Sequence, residues 1–123
     1  MFKKVLFSKI HRAVVTEARI DYVGSITIDA DLLEASGIRP NDEVIIANCD
    51  TGERFETYVF RGEPGMKQII INGAAGHLAS KGDTVIIMHY AYMTDDEYQA
   101  NRPRAVIMNP DNTIDEVVVY DNR

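Results

Sequence analysis

The sequence predicts a small, mainly β domain: a closed β-barrel with short helices. Short segments rich in valine, isoleucine and tyrosine follow one another closely, separated by glycine, proline and asparagine turns. Helical signals are few, and each covers only one or two turns. A chain of 123 residues can bury one hydrophobic core but is too short for two. We therefore expect a single domain over residues 1–123.

The strand-like segments have apolar residues either alternating with polar ones or in short continuous runs. The predicted strands are residues 4–20, 22–28, 43–48, 54–60, 67–71, 84–90, 105–108 and 116–120. The first is expected to break near His11 and Arg12. Residues 85–88 and 117–119 are continuously apolar, which favours strands covered on both faces and is consistent with an oligomer.

Two short helices are predicted from their end signals. Asp29 is typical of a helix N-cap and Gly37 of the glycine that ends a helix, so residues 30–36 predict the first. Thr94 and Glu97 have the spacing of a capping box, which predicts that the second helix begins there.

Charge and composition exclude several classes of function. The net charge of −6 and the pI of about 4.9 argue against nucleic-acid binding, which needs a basic surface. No apolar run approaches the length of a membrane span, and the early lysines argue against a signal peptide. The one cysteine, Cys49, cannot form an internal disulfide and suits a reducing compartment. We expect a cytoplasmic protein with no membrane or nucleic-acid partner.

No metal site is expected, because His11, His77 and His89 lack the spacing of metal ligands. A small anionic ligand would be repelled by the overall charge, so a few local cations would have to bind it. Lys9 and Arg54 are the candidates.

The chain is organised around Asp21-Tyr22-Val23-Gly24-Ser25-Ile26-Thr27-Ile28-Asp29, which has strand composition on both sides of a Gly-Ser pair. Glycine inside a strand pattern marks a bulge, a bend or a close backbone approach, and a Gly-Ser pair by itself is most often a turn. This pair lies after Lys9-Ile10-His11-Arg12 and before Arg54-Phe55-Glu56-Thr57-Tyr58 and Asn72-Gly73-Ala74-Ala75-Gly76-His77. That set, in that order and spacing, resembles the pyruvoyl-dependent aspartate 1-decarboxylases from about residue 1 to residue 93.

The resemblance implies a six-stranded double-psi β-barrel and a homotetramer with active sites between neighbouring subunits. It also implies that the chain cuts itself between Gly24 and Ser25. The products would be residues 1–24, the β chain, and residues 25–123, the α chain, which starts with a pyruvoyl group. The implied reaction is decarboxylation of L-aspartate to β-alanine and CO2, in pantothenate and coenzyme A synthesis, without metal or pyridoxal phosphate.

The Gly-Ser pair has the chemistry that this reaction needs. Loss of CO2 from an amino acid leaves a carbanion, and no side chain supplies the electron sink for it. Attack of Ser25 Oγ on the Gly24 carbonyl, followed by elimination and hydrolysis, would create a pyruvoyl group that forms a Schiff base with the substrate amine. Glycine leaves that carbonyl unhindered and tolerates unusual dihedrals.

The resemblance assigns Tyr58 as the proton donor to the carbanion, a role suited to a phenol that stays protonated near neutral pH. Packing in the barrel is the alternative role for this tyrosine. The resemblance places Thr57 near the Gly24 carbonyl and the substrate. In a regular strand Thr57 and Tyr58 face opposite sides, so a bulge or a site shared between subunits would be needed.

Arg54 suits bidentate binding of the substrate carboxylate that is retained, with Lys9 adding a second positive charge. Asn72-Gly73-Ala74-Ala75 is interpreted as a loop of backbone donors for an anion, followed by a helical turn at residues 77–80; a tight turn is the alternative. Tyr22 and His11 are assigned supporting roles.

The residues alone are also compatible with two other functions. One is a pyruvoyl decarboxylase for a different amino acid, although a neutral or cationic substrate would leave Arg54 and Lys9 hard to explain. A non-catalytic barrel for assembly or ligand binding would keep the Gly24-Ser25 bond intact. The sequence does not indicate whether cleavage needs a maturation factor.

Overall fold

The structure is a computed structural model that describes residues 1–121. Nine strands, two α-helices and one 3-10 helix make up this part of the chain. The strands are β1 (Lys3–Val14), β2 (Glu17–Arg19), β3 (Ser25–Asp29), β4 (Glu43–Asn48), β5 (Arg54–Gly62), β6 (Ile69–Asn72), β7 (Thr84–Met93), β8 (Arg104–Met108) and β9 (Ile114–Val119). The helices are α1 (Ala30–Ser36), the 3-10 helix Gly73–His77, and α2 (Asp95–Ala100).

All nine strands join in one sheet in the order β2-β6-β3-β5-β4-β7-β1-β8-β9. The pairs β1–β8, β2–β6 and β3–β5 are parallel, and the other neighbours are antiparallel. The prediction of a mainly β fold with short helices is confirmed. Closure into a six-stranded double-psi barrel stays a prediction.

Strand β1 bends where the sequence predicts a break. Its pairing with β7 shifts register between His11 and Ala13, and Arg12 between them has a φ of 68°. A second shift lies between Leu6 and Ser8. Such bulges sharpen the local twist, which allows one long strand to pair with both β7 and β8.

Both predicted helices are confirmed together with their caps. The Asp29 carboxylate accepts a hydrogen bond from the Asp31 amide, and Gly37 ends α1 with a φ of 79°. Thr94 and Glu97 form the reciprocal bonds of a capping box at the start of α2. None of the helices in the described part of the chain is long and apolar enough to cross a membrane.

Several predicted boundaries are wrong. The strand predicted over residues 4–20 forms two strands, since residues 15 and 16 lie between β1 and β2. Residues 22–24 are not strand: β3 begins only at Ser25, after a turn over residues 20–24. The sixth strand begins at Ile69 rather than 67, because Lys67 has a φ of 57°, outside the strand region. The helical turn predicted at 77–80 lies earlier, at Gly73–His77.

The core is built mainly from isoleucine. Successive side chains of a strand point to opposite faces, so each strand directs one row of these β-branched side chains inward. Fully buried members are Ile10, Ile26, Ile28, Ile46, Ile69, Ile71 and Ile87. The candidate site lies on the opposite face of β3 and β5, beside Asn72 of β6.

Candidate active site

The Gly24-Ser25 bond lies where an exposed turn enters the sheet. Tyr22 is 57% exposed and Val23 is 66% exposed, whereas Ser25 is completely buried as the first residue of β3. The bond therefore separates a segment without ladder hydrogen bonds from a strand paired on both sides.

The Ser25 hydroxyl is held by Asn72. The two residues are register partners on β3 and β6, and the Asn72 amide donates from Nδ2 to Ser25 Oγ over 3.0 Å. The same nitrogen donates to Thr27 Oγ1, also over 3.0 Å. Asn72 Oδ1 is buried and has no hydrogen-bond partner within residues 1–121. The site thus contains one buried acceptor that is unused in the single chain.

The backbone of Gly24 is closely approached, as the sequence predicts, but the glycine whose missing Cβ permits the approach is Gly73. Gly24 does not have a left-handed φ, and a Cβ added there would meet nothing within 4 Å apart from its chain neighbours. Gly73 has a φ of 79° and lies directly against the backbone of Gly24 and Tyr22. Strand β6 and the 3-10 helix that follows it therefore contact both sides of the Gly24-Ser25 bond.

Tyr58 lies on the same face as Ser25. Strands β3 and β5 pair in parallel from Ile26 and Val59 onward, and both of these residues point into the core. Ser25 and Tyr58 each come one position earlier, on the opposite face. The Tyr58 ring is 37% exposed and packs edge-to-face on Phe60, with ring centroids 5.5 Å apart.

Thr57 lies on the core side of β5. The pairing of β5 with β3 and β4 has no register shift, and Thr57 is partly buried between the exposed Glu56 and Tyr58. A bulge does not bring Thr57 and Tyr58 to one side. The explanation by a bulge is therefore wrong, and a site shared between subunits stays a prediction.

The predicted cations lie on separate strands of the single chain. Arg54 is on β5 and Lys9 on β1, with β4 and β7 between them. Three strand spacings of about 4.8 Å separate these strands by about 14 Å along the sheet. The Lys9 ammonium lies 5.5 Å from the centre of the Tyr120 ring. None of the ion pairs within residues 1–121 involves Lys9 or Arg54.

His11 lies on β1 close to Lys9. Burial lowers the pKa of its imidazole, and the cations Lys9 and Arg12 lower that pKa further. Its Nδ1 atom is buried without a partner in the described part of the chain. His11 is therefore biased toward the neutral form near pH 7.

Tyr22 is contacted by Arg19, a residue that sequence reasoning missed. The Arg19 guanidinium lies 5.7 Å from the centre of the Tyr22 ring and pairs with Glu17 at 2.8 Å. Arg19 is also the register partner of Asn72 across β2 and β6. The only sequence signal was the Glu-x-Arg spacing, which places both side chains on one face of a strand.

Asn72, Gly73, Ala74 and Ala75 form the end of β6 and the start of the 3-10 helix. The first N–H groups of such a helix have no partner inside it. This is the arrangement expected of a backbone-donor loop at residues 72–75, although the helical turn starts at Gly73 rather than at residue 77.

Three more residues on the Ser25 face were missed. Thr27 shares the Asn72 amide with Ser25, Phe60 packs on Tyr58, and Glu56 lies between Arg54 and Tyr58 on the same side of β5. Each is two positions from a predicted site residue, so the alternation of a strand was the signal that could have found them.

Two cavities in the described part of the chain lie away from this site. One of about 510 Å³ lies between the start of β1 and α2, lined by Lys3 and Tyr98 among others. Another, of about 230 Å³, lies beside Asp29. In the described residues, no three histidine, cysteine, aspartate or glutamate side chains are grouped as metal ligands.

Comparison with known proteins identifies the family. The sequence profile of a family described as Aspartate decarboxylase matches residues 1–115. The chain belongs to the aspartate decarboxylase family. The match includes the Gly24-Ser25 bond, Asn72, Gly73 and Tyr58.

Individual relatives of this aspartate decarboxylase family member match over nearly the whole chain. A protein named Aspartate 1-decarboxylase from Neisseria meningitidis is 49% identical over 121 residues, which cover 98% of this chain and 95% of the relative. Proteins of the same name from Staphylococcus aureus and Caldicellulosiruptor bescii are 51% and 53% identical. They cover 96% and 93% of this chain, and 93% and 89% of the relatives.

The residues around Ser25 fit a pyruvoyl group made from the chain. A glycine precedes the serine, and the serine hydroxyl is buried and hydrogen-bonded to Asn72. Because Gly73 has no side chain, it leaves a space beside Gly24 that a Cβ would fill. The unused Asn72 Oδ1 provides an acceptor beside it.

Proposed function

We propose that this chain decarboxylates L-aspartate to β-alanine and CO2, using a pyruvoyl group formed from Ser25. The observation that carries the proposal is the Ser25 hydroxyl, buried beside Gly24 and bonded to Asn72, in a chain of the aspartate decarboxylase family. Relatives named for this activity align over more than nine-tenths of the chain, which supports the same substrate.

The group would form without any outside oxidant. Ser25 Oγ attacks the Gly24 carbonyl carbon, the C–N bond breaks, and the hydroxyl proton moves to the Ser25 nitrogen, which leaves an ester. A base then removes the Ser25 Cα proton, and the Cβ–O bond breaks to release residues 1–24 as a carboxylate. Water adds to the dehydroalanine that remains, and ammonia leaves.

A pyruvoyl group at residue 25 would supply a carbonyl for the substrate amine and an electron sink for the pair left on the substrate carbon when CO2 departs. The chain's own residues bind the substrate and deliver a proton. Arg54 and Lys9, which have no ion pair within residues 1–121, hold the retained carboxylate. Tyr58, on the Ser25 face, carries the proton that replaces CO2. The backbone donors of Gly73, Ala74 and Ala75 complete the substrate contacts.

The proposal includes assembly of the chain into a homotetramer. Within one chain Lys9 and His11 lie about 14 Å along the sheet from β5, and Thr57 faces away from Tyr58. A neighbouring subunit supplies the missing groups if the site forms between two copies. Residues 54–58 favour this, because within residues 1–121 they pair only with β4 and leave their other edge free.

The proposal also places the reaction in pantothenate and coenzyme A synthesis, in the cytoplasm. The exposed free thiol of Cys49 is compatible with the reducing conditions of that compartment. A maturation factor for the cleavage step is compatible with the exposed position of Tyr22 and Val23.

Intact mass spectrometry of the purified protein tests the proposal. We expect two chains, residues 1–24 and residues 25–123, the second without a free amine, and β-alanine formation from L-aspartate. Ser25→Ala should remain uncut and inactive. Ser36→Ala is the matched control, because Ser36 is equally buried and hydrogen-bonded but lies on α1. An uncut active protein, or Edman sequencing that reads Ser25 from the larger chain, would contradict the pyruvoyl mechanism.

A further inference from the structure

Gly73 makes an unusually close contact with the segment before Ser25. A Cβ built on Gly73 would lie 2.7 Å from Gly24 Cα, 2.9 Å from Gly24 N and 3.1 Å from the carbonyl oxygen of Tyr22. Carbon atoms not bonded to each other are normally separated by about 3.5–4.0 Å. All three neighbours are backbone atoms, so no side-chain rotation can relieve the clash.

This contact and the Asn72 hydrogen bond hold opposite sides of one peptide bond. Gly73 packs against Gly24, which supplies the carbonyl carbon that is attacked. Asn72, its neighbour in the chain, holds the attacking hydroxyl of Ser25 at 3.0 Å. Both anchors belong to the junction between β6 and the 3-10 helix, so that one junction contacts the residues that carry both reacting groups.

We propose that Gly73 is a positioning residue for chain cleavage: having no Cβ, it lets residues 22–24 pack where the Gly24 carbonyl is presented to Ser25 Oγ. This inference rests on the proposed function, since it concerns the acyl shift from nitrogen to oxygen described there. It adds a role that precedes any contact of Gly73 with substrate. The cleavage step requires no aspartate, so the two roles can be measured separately.

Gly52 provides a matched control for the backbone conformation. Its φ of 81° is close to the 79° of Gly73, but a Cβ on Gly52 would meet nothing within 4 Å. Alanine at either position therefore forces a side chain into the left-handed region. Only alanine at 73 also pushes against Gly24 and Tyr22.

The experiment follows cleavage of freshly purified wild type, Gly73→Ala and Gly52→Ala by intact mass, without aspartate. Gly52→Ala should be cut at the wild-type rate. Gly73→Ala should be cut at least about tenfold more slowly, since displacements near 1 Å can slow a positioned reaction by up to ~10²-fold. The fraction of ester, measured by cleavage with hydroxylamine, should fall in the same variant.

The same substitution in a Ser25→Ala chain separates positioning from folding, because that chain is never cut. We expect Ser25→Ala with and without Gly73→Ala to have similar circular dichroism. The thermal midpoint of the double variant should be lower but still mark a cooperative transition, because alanine at 73 is strained whether or not the chain can be cut. A double variant that fails to fold would assign Gly73 to folding in general and overturn the inference. So would a folded Gly73→Ala chain that is cut at the wild-type rate. An uncut wild type would instead contradict the proposed function itself.

Discussion

The side-chain amide of Asn72 donates a hydrogen bond to Ser25 Oγ over 3.0 Å, across 47 positions of the sequence. Both residues are buried, and the same nitrogen also donates a hydrogen bond to Thr27 Oγ1. One amide therefore satisfies two hydroxyls on β3, one of which is the proposed nucleophile. Stability and chain cleavage should both depend on this residue.

Asn72→Ala should lower the free energy of unfolding by about 1–3 kcal/mol, the usual cost of leaving a buried polar group without its partner. It should also slow cleavage, because the Ser25 hydroxyl becomes free to rotate away from the Gly24 carbonyl. Urea unfolding and intact mass over time measure the two effects. Asn48→Ala is the control: Asn48 is equally buried and donates to Leu78 and Asp83, far from Ser25 along the chain. Equal slowing in both variants would mean that lost stability alone explains the effect.

Arg54→Ala should reduce kcat/KM for L-aspartate by about 10- to 100-fold, since a hydrogen bond to a charged group contributes roughly 1.5–3 kcal/mol. Arg54→Lys should recover only part of the loss, because an ammonium cannot bind a carboxylate in the bidentate manner of a guanidinium. Arg61→Ala, an exposed arginine on the same strand, is the control and should leave kcat/KM unchanged. Near-normal kcat/KM in Arg54→Ala would place the carboxylate elsewhere.

The features predicted correctly from sequence are those with local causes. The caps of α1 and α2 involve residues no more than a few positions apart, and each helix begins where its cap predicts. The start of β3 was predicted too early because residues 22 and 23 have strand composition. In the structure this segment packs against Gly73, which lies 49 positions from Gly24, and a contact over that distance leaves no local signal.

The candidate site was likewise predictable only where its geometry depends on residues that are close together in the sequence. Alternation along β5 correctly placed Thr57 and Tyr58 on opposite faces. The separation of Lys9 from Arg54 was not predictable, because it depends on a strand order that inserts β7 and β4 between β1 and β5. Strand order follows from contacts between distant segments, which the pattern of a single sequence does not encode.

Acidification should destabilise the protein through His11. Burial and the nearby cations lower its pKa in the fold below the ordinary value of 6.5. Between the folded pKa and 6.5 the unfolded chain therefore binds more protons than the folded one, and the free energy of unfolding falls as the pH drops through that window. Urea unfolding between about pH 5 and pH 8 should show this loss in the wild type.

His11→Gln removes the titrating group and should flatten the fall in stability below pH 6.5. His77→Gln is the control, because His77 is exposed at the end of the 3-10 helix. An unchanged pH dependence in His11→Gln, or an equal change in both variants, would show that His11 is not the group responsible.

Tyr58→Phe should separate formation of the pyruvoyl group from its use. The substitution removes one oxygen and keeps the ring that packs on Phe60 at 5.5 Å, so the fold should be preserved. Cleavage at Gly24-Ser25 depends on Ser25 and its contacts, and intact mass should show the same two chains as in the wild type. Formation of β-alanine should fall by ~10²–10⁴-fold, the usual contribution of a positioned proton donor.

Tyr92→Phe is the matched control for this substitution. Tyr92 is 70% exposed near the end of β7, and the Lys4 ammonium lies 5.9 Å from the centre of its ring. Loss of its hydroxyl should change neither cleavage nor the rate of β-alanine formation. A Tyr58→Phe protein that is cut and makes β-alanine at the wild-type rate would assign the proton to water or to another residue. Tyr58 would then have only the packing role against Phe60, because its hydroxyl would contribute nothing that the phenylalanine ring does not already provide.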